Sequence, residues 1–290
     1  LVTDPPALDD GLIGPDVRAL VTRGLGQITA DVIAALPGLE VVARCGAGLD
    51  NVDTSAAADA GVAVVHAPGV TGPAVAEHAL ALMLALARRL CELDRAVGAG
   101  DWAIRNGFEA VELRGKRLGI VGLGATGLRL AELGAALGMD VVGAARRDIA
   151  APVERVPLAD LLATSDVVQI CVPLTPETTA MIGGDELAAM KPGVLLVNTS
   201  RGPIVDHAAV GEALLSGSLG GYAADVWDPE PPGADDPLPA HPRTIVTPHI
   251  AALTDVTYRE ICVRTAEAVR AVLVGADPDP ATVFVSRRRS

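Results

Sequence analysis

The sequence predicts an α/β protein of two domains, each built around a doubly wound parallel sheet, and three observations support this prediction. Short β-type runs alternate with helical runs along most of the chain, which is typical of βαβ units with parallel strands. The 290 residues exceed the length of one typical domain. Of these residues 50% are hydrophobic but only 2% are aromatic. The core must therefore consist mainly of closely packed aliphatic side chains and glycines.

The first domain begins with four predicted strands and one helix. The strands are expected at 1–3, 18–22, 39–43 and 63–66, and the helix at 30–36. Because strand 1–3 begins at the first residue of the sequence, we expect the natural N terminus to lie upstream of it. Pro73 suits the first turn of a helix, and the apolar spacing after it predicts a helix over 73–90 that joins the two domains.

The second domain follows a polar, irregular stretch at 98–113. Its strands are expected at 118–121, 141–144, 167–172, 194–198, 221–225 and 244–247, which together make a complete doubly wound sheet. A last helix over 257–274 is expected to cross back to the first domain. We therefore predict one domain from 1–90 with 256–290, and a second from 91–255.

Charge and cysteine spacing argue against several classes of protein. Nucleic-acid binding needs clustered basic residues, whereas the net charge is −13 and the basic residues 287–289 are expected to be a solvated end. The most apolar helical run, 78–90, is too short to span a bilayer. The four cysteines show no zinc-ligand or disulfide spacing. We expect a cytoplasmic protein without a metal site or a membrane role.

A glycine-rich run lies where the first strand of the second domain turns into a helix. Gly122 permits a tight turn, Gly124 allows the backbone to approach a pyrophosphate, and Gly127 allows the helix to pack closely on the strand. Ala125 and Thr126 open the helix, whose N terminus attracts phosphate. The alternative is an ordinary glycine turn. Because the flanking strand and helix fit, the run predicts a dinucleotide site.

The end of the next strand bears on which dinucleotide binds. An acidic residue here would hold a ribose 2′-hydroxyl, but the chain has Arg146 and Arg147. Two guanidinium groups can bind a 2′-phosphate, so we expect NADP to be preferred, with NAD possible. The alternatives are that both arginines only cover the surface, or that Asp148 contacts the ribose.

Three charged residues follow predicted strands of the second domain: Arg201, Glu230 and His249. In open α/β sheets, ligands bind beyond the carboxyl ends of the strands. The segments around these residues, 197–203, 225–232 and 247–250, resemble signatures of the D-isomer-specific 2-hydroxyacid dehydrogenase family. The resemblance extends to 44–53, 67–70 and 75–78 and so covers nearly the whole chain.

The resemblance implies a flavodoxin-like substrate domain with an inserted NAD(P)-binding Rossmann domain, and a homodimer. It implies that Arg201, Glu230 and His249 are the catalytic residues. Asp225 matches the family's ligand for the nicotinamide carboxamide, and Val172, Pro173, Thr178 and Thr199 match segments that line the cofactor. In the first domain, the loop with Arg44, Ala47 and Gly48 matches the segment that presents backbone N–H groups to the substrate carboxylate. Arg201 and His249 of the second domain are implied to bind the substrate as well.

Elementary chemistry supports these roles. A 2-oxo acid needs its carboxylate anchored, its carbonyl polarised and a proton delivered to its oxygen. Arg201 supplies a permanent planar cation for the first two tasks. His249 can donate the proton, and Glu230 can stabilise the imidazolium and fix its tautomer. Taken singly, each residue could also be a surface charge, a turn residue or a structural histidine.

Three functions are therefore compared. The leading one is an NADP-preferring reductase of a small 2-oxo acid such as glyoxylate or hydroxypyruvate. A D-3-phosphoglycerate dehydrogenase is the alternative enzyme, with Arg44 or Arg23 contributing to a phosphate pocket. A non-catalytic protein that senses NAD(P)(H) is the alternative from another class.

Overall fold

A computed structural model describes residues 14, 16–24, 26–146 and 152–286. Its strands are β1 Ala19–Thr22, β2 Val41–Arg44, β3 Ala63–Val65, β4 Arg117–Val121, β5 Asp140–Ala144, β6 Glu154–Arg155, β7 Val167–Ile170, β8 Val194–Asn198, β9 Leu219–Ala224, β10 Thr244–Val246 and β11 Val283–Val285. Its α-helices are α1 Ala30–Ala34, α2 Thr54–Asp59, α3 Gly72–Arg88, α4 Leu90–Gly98, α5 Ala125–Ala136, α6 Leu158–Thr164, α7 Gly184–Ala189, α8 His207–Ser216 and α9 Asp255–Leu273. The expected strand at 1–3 and the basic residues 287–289 lie outside the described residues.

The chain divides into two compact units, and the predicted fold class is confirmed. The first unit contains Leu1–Thr71 and Leu253–Ser290. Its described sheet has the order β1-β2-β3-β11, in which β11 alone runs antiparallel to its neighbour. One face packs on α1 and α2 through residues such as Ile33 and Ala57, and the other packs on α9 through Ala268 and Val272.

The second unit, Gly72–Ala252, contains the larger sheet. The described strands lie in the order β10-β9-β8-β7-β4-β5-β6, and every pair is parallel. The chain runs outward in opposite directions from the β4–β7 pair, so this pair is the topological switch point. A crevice forms beyond the carboxyl ends of strands at such a point. The glycine turn lies after β4 and the charged residues follow β8, β9 and β10.

Helix α3 belongs to the second unit, so the division falls one helix earlier than the predicted boundary at residue 90. The reason is its buried face: Ala79, Leu82 and Met83 pack with Leu118 and Leu195 in one core cluster. The second boundary, between Ala252 and Leu253, lies close to the predicted one. Which unit binds substrate and which binds cofactor stays a prediction.

Several elements lie where local sequence patterns carry little signal. Helix α2 is alanine-rich without apolar periodicity. Helix α4 is different: the prediction omits it although Leu90, Leu93 and Val97 repeat at helical spacing. Strands β6 and β11 have two and three residues, which is too short for an alternating pattern to be recognised. None of the described helices combines the length and apolar composition that crossing a bilayer requires.

Candidate active site

The three glycines of the turn after β4 differ in backbone conformation and in the space available for a Cβ atom. Gly122 has a φ of +104°, and a Cβ there would lie 2.7 Å from the carbonyl carbon of Cys171. A Cβ at Gly127 would lie 2.0 Å from the carbonyl oxygen of Gly122. Gly124, which has an extended backbone and precedes α5, has open space where its Cβ would be. The turn is therefore tight on the sheet side and open at the helix N terminus, as a pyrophosphate site requires.

A matched pair of substitutions separates these two situations. We expect Gly127→Ala to lower the free energy of unfolding by about 1–3 kcal/mol, because the new methyl group must displace the Gly122 carbonyl. We expect Gly124→Ala to change stability by less than about 1 kcal/mol, because its Cβ is unobstructed and its backbone is accessible to alanine, while alanine is a weaker N-cap of α5 than glycine. Chemical denaturation of both variants checks this, and equal destabilisation would contradict it.

The segment after β7, which matches a cofactor-lining segment, is held largely by its own hydrogen bonds. The Thr178 hydroxyl donates to the Pro173 carbonyl at 2.7 Å and accepts from the Thr175 N–H at 2.8 Å. The Thr199 hydroxyl accepts from the amide of Gln169 at 3.0 Å. Val172 follows Cys171, whose pKa is raised to about 12 by burial. Through these hydrogen bonds Thr178 and Gln169 stabilise the local backbone and the neighbouring strand end. Direct contact of this segment with a cofactor stays a prediction.

Of the two arginines expected near the ribose, Arg146 is exposed at the end of β5, and Arg147 lies outside the described residues. The hydrogen bond from the Thr175 hydroxyl lowers the pKa of Glu177, and the charge of Arg146 contributes to this shift. Arg146 therefore lies close enough to Glu177 for their charges to interact. The guanidinium remains accessible to a ligand from solvent.

Arg201 follows β8 in a loop that is held by hydrogen bonds with Asn198 and by close packing at Gly202. The Asn198 side chain accepts from the Ser200 N–H at 3.0 Å and donates to the Arg201 carbonyl at 2.8 Å. A Cβ at Gly202 would lie 2.0 Å from the carbonyl oxygen of Trp227. The loop with Arg201 therefore packs directly against the chain that leads to Glu230.

His249 and Glu230 form a hydrogen-bonded pair. The Nδ1 of His249 lies 2.8 Å from Glu230 Oε2, and the Trp227 N–H donates to Glu230 Oε1 at 3.0 Å. Their side chains are 44% and 40% exposed, so the pair is accessible to a ligand. Partial burial raises the pKa of Glu230, but hydrogen bonds from His249 and Trp227, with the charge of Arg201, bring the net pKa below its usual value. Glu230 is therefore ionised at neutral pH, hydrogen-bonded to His249 and close enough to Arg201 for their charges to interact.

His249 has a φ of +54°, which is uncommon for a residue with a Cβ. Hydrogen bonds to Asp225 hold the loop around His249. The Asp225 side chain is only 1% exposed. Its carboxylate accepts from the Thr247 hydroxyl at 2.6 Å, the Ile250 N–H at 2.9 Å and the Ala251 N–H at 2.8 Å. Asp225 thus binds the chain on both sides of His249, and its predicted contact with a carboxamide remains a prediction.

Two further contributors were missed in the sequence. His78 lies within the helix predicted over 73–90, where the sequence assigns it no role, and its ring reaches the Thr247 hydroxyl at 2.9 Å. The indole of Trp227 stacks on His207 with ring centroids 4.2 Å apart and donates to Asp236 at 2.9 Å. Burial lowers the pKa of His207, against the opposing charge of nearby aspartates. The quoted motifs contain His78 and Trp227, but their partners are distant in sequence and no local signal identifies them.

In the first unit, the loop with the predicted substrate contacts is a tight turn. The Arg44 guanidinium donates to the Cys45 carbonyl at 3.0 Å and lies over Gly46, whose φ is +144°. The Ala47 carbonyl accepts from the His66 ring at 2.8 Å, which fixes the turn that continues to Gly48. Burial raises the pKa of Cys45, against the opposing charges of Arg44 and Arg23. Both guanidinium groups therefore lie near the same turn.

Comparison with known proteins is consistent with this arrangement. Residues 80–251 match the family described as D-isomer specific 2-hydroxyacid dehydrogenase, NAD binding domain. The D-3-phosphoglycerate dehydrogenase of Archaeoglobus fulgidus is 42% identical over 245 residues, which cover 83% of this chain and 46% of that protein. The glyoxylate reductase of Aeropyrum pernix is 40% identical over 274 residues, which cover 91% of this chain and 82% of that protein.

Among solved structures, the TT0316 protein from Thermus thermophilus superposes with a TM-score of 0.88 at 38% identity, covering 93% of this chain and 86% of that one. The chain spans about half the length of the first D-3-phosphoglycerate dehydrogenases it matches, 46% and 50%. The matched residues include the glycine turn, Arg201, Glu230 and His249. The chain belongs to the D-isomer-specific 2-hydroxyacid dehydrogenase family.

Proposed function

We propose that the protein is an NAD(P)-dependent oxidoreductase that transfers a hydride between the nicotinamide cofactor and carbon 2 of a small 2-oxo or D-2-hydroxy acid. The observation that carries the proposal is the His249–Glu230 pair at 2.8 Å, with the charge of Arg201 acting on the same carboxylate. The three residues follow β8, β9 and β10, in the same unit as the glycine turn. Family membership and the open space at Gly124 support a nicotinamide dinucleotide as the cofactor.

Arg201, His249 and Glu230 each have a separate role in the proposed reaction. Arg201 binds the substrate carboxylate and polarises the carbonyl through charge-assisted hydrogen bonds. A bound cofactor supplies the hydride. As carbon 2 receives it, His249 donates the Nε2 proton to the carbonyl oxygen, which gives the 2-hydroxy acid and a neutral imidazole. Glu230, bound to Nδ1, stabilises the imidazolium before transfer and holds the ring so that Nε2 faces the substrate. In the oxidising direction neutral His249 accepts the hydroxyl proton.

Glyoxylate or hydroxypyruvate is the proposed substrate class. The glyoxylate reductase of Aeropyrum pernix supports it, because the match covers 82% of that protein at 40% identity. D-3-phosphoglycerate is the second candidate, favoured by Arg23 and Arg44 near the turn at Gly46. Guanidinium groups bind phosphate well.

A panel of 2-oxo acids and D-3-phosphoglycerate, assayed with NADH, NADPH and their oxidised forms, tests the proposal. Turnover of glyoxylate or hydroxypyruvate with a kcat/KM above that for D-3-phosphoglycerate supports the first substrate class, and the reverse order supports the second. Cofactor binding without turnover of any acid on the panel would overturn the enzymatic proposal in favour of a non-catalytic sensor of NAD(P)(H).

For the cofactor, we propose that NADP is preferred over NAD. Exposed Arg146 can bind a 2′-phosphate. We expect NADPH to bind more tightly than NADH, and Arg146→Ala to reduce the preference by about 10- to 100-fold, since a hydrogen bond to a charged group contributes roughly 1.5–3 kcal/mol. Fluorescence titration with both cofactors measures this. Arg129→Ala, which removes an exposed arginine paired with Glu132 on α5, is the control. Tighter binding of NADH to the unmodified protein would contradict the preference.

We also propose a homodimer in a reducing compartment, the cytoplasm. Apolar side chains exposed between α3 and β4 support a second copy: Leu90 at 50%, Val97 at 46% and Trp102 at 67%. All four cysteines are free, which suits a reducing environment. Sedimentation equilibrium gives the mass in solution, and a monomer at micromolar concentration would contradict the dimer.

A further inference from the structure

Helix α3 carries a histidine that has no task in the proposed reaction, although it contacts the loop that holds His249. The Nε2 atom of His78 lies 2.9 Å from the Thr247 hydroxyl oxygen and 3.5 Å from Asp225 Oδ1. Its side chain is 21% exposed. The contact joins residues 169 positions apart in sequence. It is part of a polar network whose centre, Asp225, is almost fully buried.

The directions of the hydrogen bonds in this network follow from the available protons. The backbone amides of Ile250 and Ala251 can only donate, and both point at the Asp225 carboxylate. The Thr247 hydroxyl has one proton and donates it to Asp225 Oδ1 at 2.6 Å. Its oxygen can then only accept from the imidazole, so His78 must carry a proton on Nε2. The chain of donation runs from His78 through Thr247 to Asp225.

This chain fixes the loop on both sides of His249. Thr247 precedes His249 by two positions, and Ile250 and Ala251 follow it directly. His249 has a left-handed backbone at φ +54°, which its Cβ disfavours. Such a conformation persists only where several surrounding contacts together stabilise it. Asp225 supplies three of these contacts, and His78 sets the direction of the hydroxyl that supplies one of them.

We propose that His78 is a positioning residue: its Nε2–H orients the Thr247 hydroxyl toward Asp225 and thereby holds residues 247–251 so that His249 meets Glu230. The catalytic consequence rests on the function proposed above. The conformational consequence does not, because it concerns only the loop. His78 does not contact substrate in this role, so its loss acts on the rate of proton transfer more than on substrate binding.

Three variants of α3 test the kinetic consequence. His78→Leu removes the donor, and we expect kcat to fall by about tenfold or more while KM for the 2-oxo acid changes little, because misplacement of a reacting group reduces the rate steeply. His78→Gln restores an N–H donor at a similar reach, and we expect kcat to recover to within a few fold of the unmodified enzyme. Glu77→Gln changes the exposed neighbouring residue and is the control. If His78→Leu folds poorly, His78→Asn, whose amide is too short to reach Thr247, replaces it.

Hydrogen exchange of the peptide over 244–253, measured without substrate or cofactor, tests the conformational consequence. We expect faster exchange at Ile250 and Ala251 in His78→Leu, and near-native exchange in His78→Gln. If the unmodified protein turns over no acid on the panel, the proposed function fails while this measurement still decides the inference. Unchanged exchange in His78→Leu overturns it. Altered exchange with unchanged kcat, or an equal loss of kcat in the leucine and glutamine variants, overturns the positioning role.

Discussion

His249→Ala is expected to lower kcat by about 10²- to 10⁴-fold, the range typical of a general acid–base group. The loss should appear in kcat and kcat/KM together, because the proton is transferred only as the transition state forms. The affinity for cofactor should remain nearly unchanged. The imidazole is 44% exposed and is hydrogen-bonded to Glu230, which is itself 40% exposed, so alanine should not disturb the core.

The matched control is His241→Ala, which removes a histidine of the same unit whose Nδ1 accepts from the Arg243 N–H at 3.2 Å. Steady-state kinetics and a cofactor titration of both variants check the prediction. Activity of His249→Ala comparable to that of the control would exclude His249 as the proton donor and would remove the main support for the proposed mechanism.

Glu230→Gln is expected to lower the rate of 2-oxo acid reduction by roughly 10²-fold or more, because the orientation of the new amide is forced. The Trp227 N–H can only donate, so it takes the single carbonyl oxygen of the glutamine. The NH₂ group then faces His249 Nδ1, where Glu230 accepts at 2.8 Å. A donor at this position opposes protonation of the ring, and the imidazolium needed as the acid becomes scarce.

The pH dependence of the unmodified enzyme follows from the lowered pKa of Glu230. Burial acts to raise this pKa, but His249, the Trp227 N–H and Arg201 outweigh it, so the carboxylate remains ionised below the range where an ordinary glutamate protonates. Its stabilisation of the imidazolium is complete above the pKa of an unfolded glutamate and is lost as pH falls through the lower folded value. Loss of reduction through protonation of Glu230 should therefore appear only below the pH range in which an ordinary glutamate protonates.

A profile of kcat/KM against pH for the unmodified enzyme and for Glu230→Gln measures both effects. Glu132→Gln on α5, which neutralises an exposed carboxylate paired with Arg129, is the control. A Glu230→Gln profile that coincides with the unmodified one would show that the carboxylate does not act on the proton donor.

The sequence alone predicted the fold class, the glycine turn and the positions of three charged residues after strands, because the signals involved are local. Gly122 and Gly127 lie within one turn between a strand and a helix, and their conformational demands appear as glycine at fixed spacing. Arg201, Glu230 and His249 each follow a strand, and the carboxyl ends of parallel strands necessarily meet at one edge. The pairing of His249 with Glu230 was likewise expected from their chemistry.

Only the tertiary structure showed how the site is held. His78 meets Thr247 across 169 positions, the indole of Trp227 stacks on His207, and Asp225 binds the amides that follow His249. Helix α3 joins the second unit because its buried apolar face packs into that core, although its periodicity would suit either unit. Hydrophobic periodicity shows which face of an element is buried but not which partner covers it. Hydrogen bonds between distant segments depend on where the folded chain brings each donor and acceptor, and this information exists only in three dimensions.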